Sequence, residues 1–340
     1  MGLDMIYRDV ELYNVEELIT PEDGVGKVLS RIPNELRVTL NENAKERALF
    51  PAGCEVRFNL EGDSAKVVLM CEGETPAIAE VFQGSFQISW HLISNKPTEI
   101  SLSLPQNIEL LHKVTKERSL PFDPYLTRVV LPYRPAVRLI EIKGETSPPR
   151  KGQTPEMKYL AYGSSITHGT ASIRPTGSYA MRTAQILGVD LINLGFGGGA
   201  HCERQIADYI AQRGDWDFAT MELGINMINW FETEEFKERV EYLVEKVARS
   251  HPDKWIFCID LFTFYADFDP SSEKHSEFRR VVRDAVERLS MPRLVHVDGR
   301  TILKEPSGLT FDLVHPSPSG MEEMATNLSR FIGEKVFDKP

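Results

Sequence analysis

The feature that most constrains this chain is a change of pattern near residue 155. Beyond it, short apolar runs at 158–162, 189–196, 218–223, 255–261 and 293–297 alternate with amphipathic stretches. In one stretch Phe236, Val240, Leu243, Val244 and Val247 fall on one face of a helix, and in another Phe278, Val281, Val282, Ala285 and Leu289 do the same. Thr233 is placed to cap the first of these helices, and Gly188 to end an earlier one in the left-handed conformation. Strands that are apolar throughout and separated by helices predict a five-stranded parallel sheet covered on both faces. Such sheets bind ligands at the carboxyl ends of their strands. Residues 163–165, 193–199 and 224–226 fall at those ends, so three loops are expected to share one rim.

The preceding half reads differently. Val56, Phe58 and Leu60 alternate with Arg57 and Asn59, and Ile100, Leu102 and Leu104 alternate with serines. Further apolar runs at 67–70 and 137–142 are separated by turn signals at 61–63 and 72–74. This spacing over about 50–143 predicts an antiparallel β-sandwich, jelly-roll-like, preceded by a helical segment at 34–48. Pro148, Pro149, Gly152 and Pro155 among charged residues mark a linker. The expected division is residues 1–147 for the sandwich, 148–155 for the linker and 156–340 for the α/β domain.

Charge and composition narrow the function classes. The formal net charge of −11 argues against a nucleic-acid binder and against docking on an anionic membrane. No apolar run approaches the ~18 residues of a membrane span. The acidic N-terminal segment, with Asp4, Asp9, Glu11, Glu16 and Glu17, lacks the pattern of a secretion signal, so the chain reads as cytoplasmic. Cys54, Cys71, Cys202 and Cys258 are widely spaced and read as buried free thiols. No cluster has the spacing of a zinc site, and neither a metal nor a cofactor is expected.

Two short strings carry the chemistry. Ser165 follows the first strand, with Gly163 permitting a sharp turn that lifts the next side chains out of the sheet. A bare hydroxyl is a weak nucleophile and needs a base within hydrogen-bond reach. Asp312 and His315 lie three residues apart on a loop that Pro316 and Pro318 keep from becoming helical. Asp312 is placed to accept from one ring nitrogen and fix the tautomer, leaving the other nitrogen to take a proton from Ser165. Taken singly, Ser165 reads equally as a turn or cap residue, and His315 as a solvated loop histidine. The glycine run at 195–199 offers unobstructed backbone N–H groups, and Asn226 a side-chain amide, for a developing oxyanion. The same run competes as a dinucleotide cradle, but it opens the second strand's loop and has no acidic ribose partner.

Gly163-Ser164-Ser165, the run Asn193-Leu194-Gly195-Phe196-Gly197-Gly198, Gly224-Ile225-Asn226 and Asp312-Leu313-Val314-His315-Pro316 together resemble the four blocks of the SGNH (GDSL-type) hydrolases, in order, over about 155–335. The resemblance implies a flavodoxin-like three-layer domain with Ser165 as nucleophile, His315 as base and Asp312 orienting it. It implies an oxyanion hole from the Ser165 and Gly198 N–H groups and the Asn226 amide. Two positions depart from the family: Ser164 stands where it has an acidic residue, and Gly199-Ala200 where Asn-Gly is frequent. The front half is similar to the β-sandwich that precedes this domain in some bacterial esterases and acyltransferases.

The resulting expectation is a serine esterase acting on short-chain, acetyl-type esters of a small molecule or acylated carbohydrate. Acyl transfer to an acceptor other than water shares the acyl-enzyme and stays open, as does homo-oligomerisation. The rivals from other classes are a non-catalytic glycan-binding protein and a nucleotide-binding oxidoreductase. Among the remaining residues, His168 is expected to face away from Ser165, and His201 to line the pocket or sit behind it. Trp90, Trp216, Trp230 and Trp255 are expected to be packing residues, with a sugar-stacking platform the alternative for Trp90-His91 and with Trp230 close enough to Asn226 to overhang the site. The aromatic loop 262–270 is expected to wall the acyl or leaving-group site, with Asp267 and Asp269 solvated.

Overall fold

The computed structural model describes residues 5–269, 271 and 273–337. Residues 1–4 and 338–340, at the ends of the expected domains, and Pro270 of the aromatic loop lie outside the described residues.

The expected parallel sheet forms from Lys158–Gly163, Asp190–Gly195, Phe218–Glu222, Trp255–Ile259 and Leu294–Val297. In chain order its strands lie 2-1-3-4-5, the flavodoxin-like arrangement. Alternation within the first strand shows why both faces must be covered. Leu160 and Tyr162 enter the core shared with Arg204–Gln212, Thr233–Ser250 and Lys274–Leu289. Tyr159 and Ala161 enter the opposite core, shared with Tyr179–Leu187 and Pro318–Val336. Gly188 ends its helix at φ +70°, as the sequence predicts. Thr233 is the first helical residue rather than the cap, and its hydroxyl donates to Glu277.

The front half holds two antiparallel sheets over a common apolar core containing Val56, Phe58, Val67, Leu69, Val129 and Val137. Strands begin well before residue 50, at Met5–Tyr7, Val10–Tyr13, Glu17–Ile19 and Lys27–Ser30. Their acidic residues hide the signal, since Glu11 is buried 3.6 Å from Arg57 instead of facing solvent. The predicted helical segment is two short helices, Asn34–Arg37 and Glu42–Arg47, and a further helix spans Ile108–Arg118. The Pro-rich segment is pinned to the sandwich: Thr146–Ser147 pairs with Glu55–Leu60, and the buried Gln153 donates to Asn59 at 2.8 Å.

The two halves interlock. Ile32, Leu40, Ala44 and Ala48 belong to the same apolar cluster as Leu160, Leu194 and Ile206. Arg31 is fully buried and donates to four carbonyls: Asn193 at 2.7 Å, Gly195 at 2.8 Å, Arg47 at 2.7 Å and Phe50 at 2.7 Å. Burial lowers its pKa to about 10, which leaves it charged at neutral pH. Arg57 reaches Asp190 through both terminal nitrogens at 2.9 and 2.7 Å, and shares Glu55 with Arg128. Buried ions need such pairing, because a lone one would be strongly destabilising.

Candidate active site

The first strand ends at Gly163, where an added Cβ would lie 2.3 Å from the Thr167 hydroxyl and 2.5 Å from a Glu222 oxygen, so only glycine fits. Ser164 then caps a one-turn helix, Ser165–His168, its hydroxyl accepting from the Ile166 amide at 3.1 Å. This cap sets the half-buried Ser165 at the start of the turn, above the sheet.

The structure brings Ser165, His315 and Asp312 together. Ser165 Oγ lies 2.8 Å from His315 Nε2, and His315 Nδ1 lies 2.7 Å from Asp312 Oδ2. Leu313, between them, adopts φ +54°, so the loop turns tightly enough for carboxylate and ring to face each other. Asp312 Oδ1 accepts from the Val314 amide at 2.8 Å, the His315 amide at 2.9 Å and the Thr310 hydroxyl at 2.9 Å. Partial burial would raise this carboxyl, but hydrogen bonds from the His315 ring and amide, Val314 and Thr310 outweigh it and hold it well below the usual range. An ionised Asp312 accepts from Nδ1–H, which leaves Nε2 free to accept from the serine hydroxyl.

Gly198 and Asn226 line the same cavity, of about 350 Å³, with Ser165 and His315. Gly198 sits at φ +70° at the tip of the glycine run, and its carbonyl accepts from Asn43 at 3.0 Å. Asn41 holds the next carbonyl, Gly199, at 2.9 Å. The glycine loop is therefore buttressed by the front half of the chain. Asn226 Oδ1 accepts from the Ala200 amide at 3.2 Å, which fixes the side chain and leaves its N–H groups for another acceptor.

Several contributors escape sequence reading. Glu222, buried at the end of the third strand, accepts from the Ser164 amide at 2.6 Å and the Thr167 hydroxyl at 3.1 Å. Burial raises its pKa, with the Ser164 and Thr167 hydrogen bonds opposing. It braces the turn that carries Ser165, and the one available signal was a charge closing an otherwise uncharged strand, Phe218–Glu222. Asn43, Arg47, Phe50 and Arg134, all from the front half, also line the cavity.

Other expectations need correction. His168 is buried and lies in the cavity wall, with its ring against those of Phe50 and Tyr133, but His315 is the imidazole that meets Ser165. Desolvation, then the Arg31 and Arg47 charges, hold the His168 ring well below its ordinary pKa and keep it neutral. For His201 the structure selects the second of the two expected placements: it packs edge-on to Phe231, outside the cavity wall. In the aromatic loop Tyr265 reaches the cavity, whereas Phe262 and Phe264 are core residues. Asp267 is not solvated, because Arg279 donates to both its oxygens at 2.6 and 2.8 Å. Trp216 is buried, but Trp90 is 60% and Trp230 85% exposed, and neither lines the cavity. Among the described residues, no group of three or more His, Cys, Asp and Glu side chains is placed to hold a metal, and no helix is long and apolar enough to cross a membrane.

Comparison with known proteins bears on this arrangement. Residues 161–323 match the GDSL-like Lipase/Acylhydrolase family. The fold resembles that of a salicylyl-acyltransferase from a tetracycline biosynthetic pathway, with a TM-score of 0.79 at 17% identity over 98% of this chain and 97% of that one. It also resembles a family two carbohydrate esterase from Clostridium thermocellum in complex with cellohexaose, with a TM-score of 0.60 at 17% identity over 84% and 93% of the two chains. An acetyl xylan esterase from Butyrivibrio proteoclasticus gives a TM-score of 0.55 at 14% identity over 84% and 91%. No curated protein matches the sequence.

Proposed function

We propose that this chain, whose residues 161–323 match the GDSL-like lipase/acylhydrolase family, is a serine esterase removing short acyl groups, acetyl above all, from a small carbohydrate-type substrate. The observation that carries the reading is the unbroken relay from Ser165 through His315 to Asp312, at 2.8 and 2.7 Å. His315 Nε2 takes the Ser165 proton as the oxygen attacks the acyl carbon. The negative charge that develops on the carbonyl oxygen is met by the Ser165 and Gly198 N–H groups and the Asn226 amide. His315 then gives the proton to the leaving alkoxide, and the acyl group remains on Ser165. Water, deprotonated by the same nitrogen, releases the acid and restores the serine. A cavity of about 350 Å³ and the acetyl xylan and carbohydrate esterase neighbours support a short acyl group on a sugar.

Acyl transfer to another alcohol is the second reading, favoured by the near full-length likeness in fold to the salicylyl-acyltransferase. Both readings share the acyl-enzyme and differ in what resolves it. The test is turnover of p-nitrophenyl esters of increasing chain length and of acetylated sugars, with product analysis in the presence of added alcohols. Free acid from short-chain esters is expected. Acyl product formed on the acceptor in preference to acid would favour transfer, and no turnover of any ester would overturn both.

A further inference from the structure

The catalytic cavity has a charge character opposite to that of the chain. The protein carries a formal net charge of −11, yet among the described residues no carboxylate side chain lines this cavity, while two guanidinium groups do. Arg47 ends the helix Glu42–Arg47 and lies over the Phe50 ring at 4.7 Å. It pairs with the exposed Glu46 beside it. Arg134 is exposed, and among the described residues no hydrogen bond or ion pair engages its guanidinium; its nearest ring contact is Tyr133 at 5.7 Å. With the buried His168 ring held neutral, the arginines dominate the local charge at this end of the cavity.

Arg47, Phe50 and Arg134 also line a second cavity, of about 470 Å³, whose wall includes Glu46 beside Arg47 as well as the apolar Ala77, Ile78, Leu92 and Ile173. The two arginines thus stand at the junction between the two cavities, with Glu46 on the side of the second one only. A planar guanidinium matches the oxygen pair of a carboxylate or phosphate, and an exposed cation at a cavity mouth draws in an anion.

We propose that the substrate of this esterase carries an oxyanion group, a carboxylate or a phosphate, which Arg47 and Arg134 hold at the mouth of the catalytic cavity. The inference rests on the esterase reading and deepens it. It gives the front half of the chain a part in selecting substrate, since both arginines belong to it.

The test compares esters that differ only in charge: 4-acetoxybenzoate against 4-acetoxybenzamide for a carboxylate on the alcohol side, 4-acetoxyphenyl phosphate for a phosphate, and monophenyl glutarate against phenyl valerate for a carboxylate on the acyl side. In at least one arm kcat/KM should favour the anion by about tenfold, the scale of one charge-assisted contact. The preference should shrink as salt is added. It should fall towards unity in Arg134→Gln and Arg47→Gln, and return in part in Arg134→Lys. Affinity of the same esters for Ser165→Ala protein, measured by calorimetry, reads the anion preference without turnover. Equal binding of charged and neutral esters in every arm would overturn the proposal even if the enzyme hydrolyses esters. Absent hydrolysis with intact anion preference would instead overturn the esterase reading. A preference that survives loss of both arginines would also overturn the assignment.

Discussion

Arg31 donates a hydrogen bond of 2.8 Å to the carbonyl of Gly195, a residue 164 positions further along the chain. The same guanidinium holds Asn193, Arg47 and Phe50. One buried side chain from the front half therefore fixes both the end of the second parallel strand and the segment that carries Arg47 and Phe50 into the cavity wall.

Arg31→Leu leaves four buried or half-buried carbonyls without this donor. Three of them keep a second donor, Asn14 for Asn193 and the Phe50 and Ala52 amides for Arg47 and Phe50, so the cost is that of four lost hydrogen bonds to a charged donor, each about 1–2 kcal/mol, rather than of bare carbonyls. A loss of at least about 3 kcal/mol is expected in denaturant unfolding. Arg31→Lys should recover only part of it, because an ammonium cannot reproduce the planar fork. Equal stability of the Arg31→Leu variant and wild type would refute the clamp.

Asn226→Ala should lower kcat by roughly 10²–10³-fold with little change in KM, as expected when a donor acts on charge that forms only in the transition state. Steady-state kinetics on a short-chain ester reads this directly. A rise in KM with kcat preserved would make Asn226 a ground-state binding residue.

Asp312→Asn should reduce kcat by about 10²–10⁴-fold, since an amide at this position permits the wrong His315 tautomer. The depressed carboxyl also has a sign to check. Ionised Asp312 stabilises the loop at pH values above that of an ordinary carboxylate, and the contribution disappears only as pH falls well below it. The acid limb of the wild-type pH–rate profile should therefore not be set by Asp312. Measuring that limb in Thr310→Val, which removes one of the hydrogen bonds to Asp312, provides the check: an unmoved limb is expected, and a shifted one would assign it to the carboxyl.

Glu55 governs acid stability at the junction of the two halves. Burial would raise its carboxyl, but Arg128 and Arg57 outweigh burial and hold it down to about 2. An unfolded glutamate titrates near ~4.3. Ionised Glu55 thus favours the folded state above that value, and the advantage is lost as pH falls towards about 2. Thermal unfolding should show Glu55→Gln less stable than wild type near neutrality, with the gap narrowing below about pH 4. A gap independent of pH would contradict the pairing.

What the sequence disclosed follows from which interactions are local. The parallel sheet was legible because its strands are mostly apolar, with few polar residues, and its helices keep one stripe. The relay was legible because Asp312 and His315 are three residues apart and Ser165 sits beside a glycine that nothing larger could replace. The cavity wall built by Asn43, Arg47, Phe50 and Arg134 was not legible, since segments so far apart leave no shared local pattern. Glu222 hid because one carboxylate at a strand end looks like any rim residue until its partners Ser164 and Thr167 are in place. Trp90 misled for a different reason: its strand, Phe86–Ile93, is the sheet's edge, with Ile88, Trp90 and Leu92 all exposed.

The central claim is that Ser165 is a nucleophile made reactive by His315. The most direct measurement is labelling with a fluorophosphonate, with the modified residue located by mass spectrometry. A single adduct on Ser165 is expected, absent in Ser165→Ala and strongly slowed in His315→Ala, with ester turnover lost in parallel. An adduct on another residue, or undiminished turnover by Ser165→Ala, would contradict the claim.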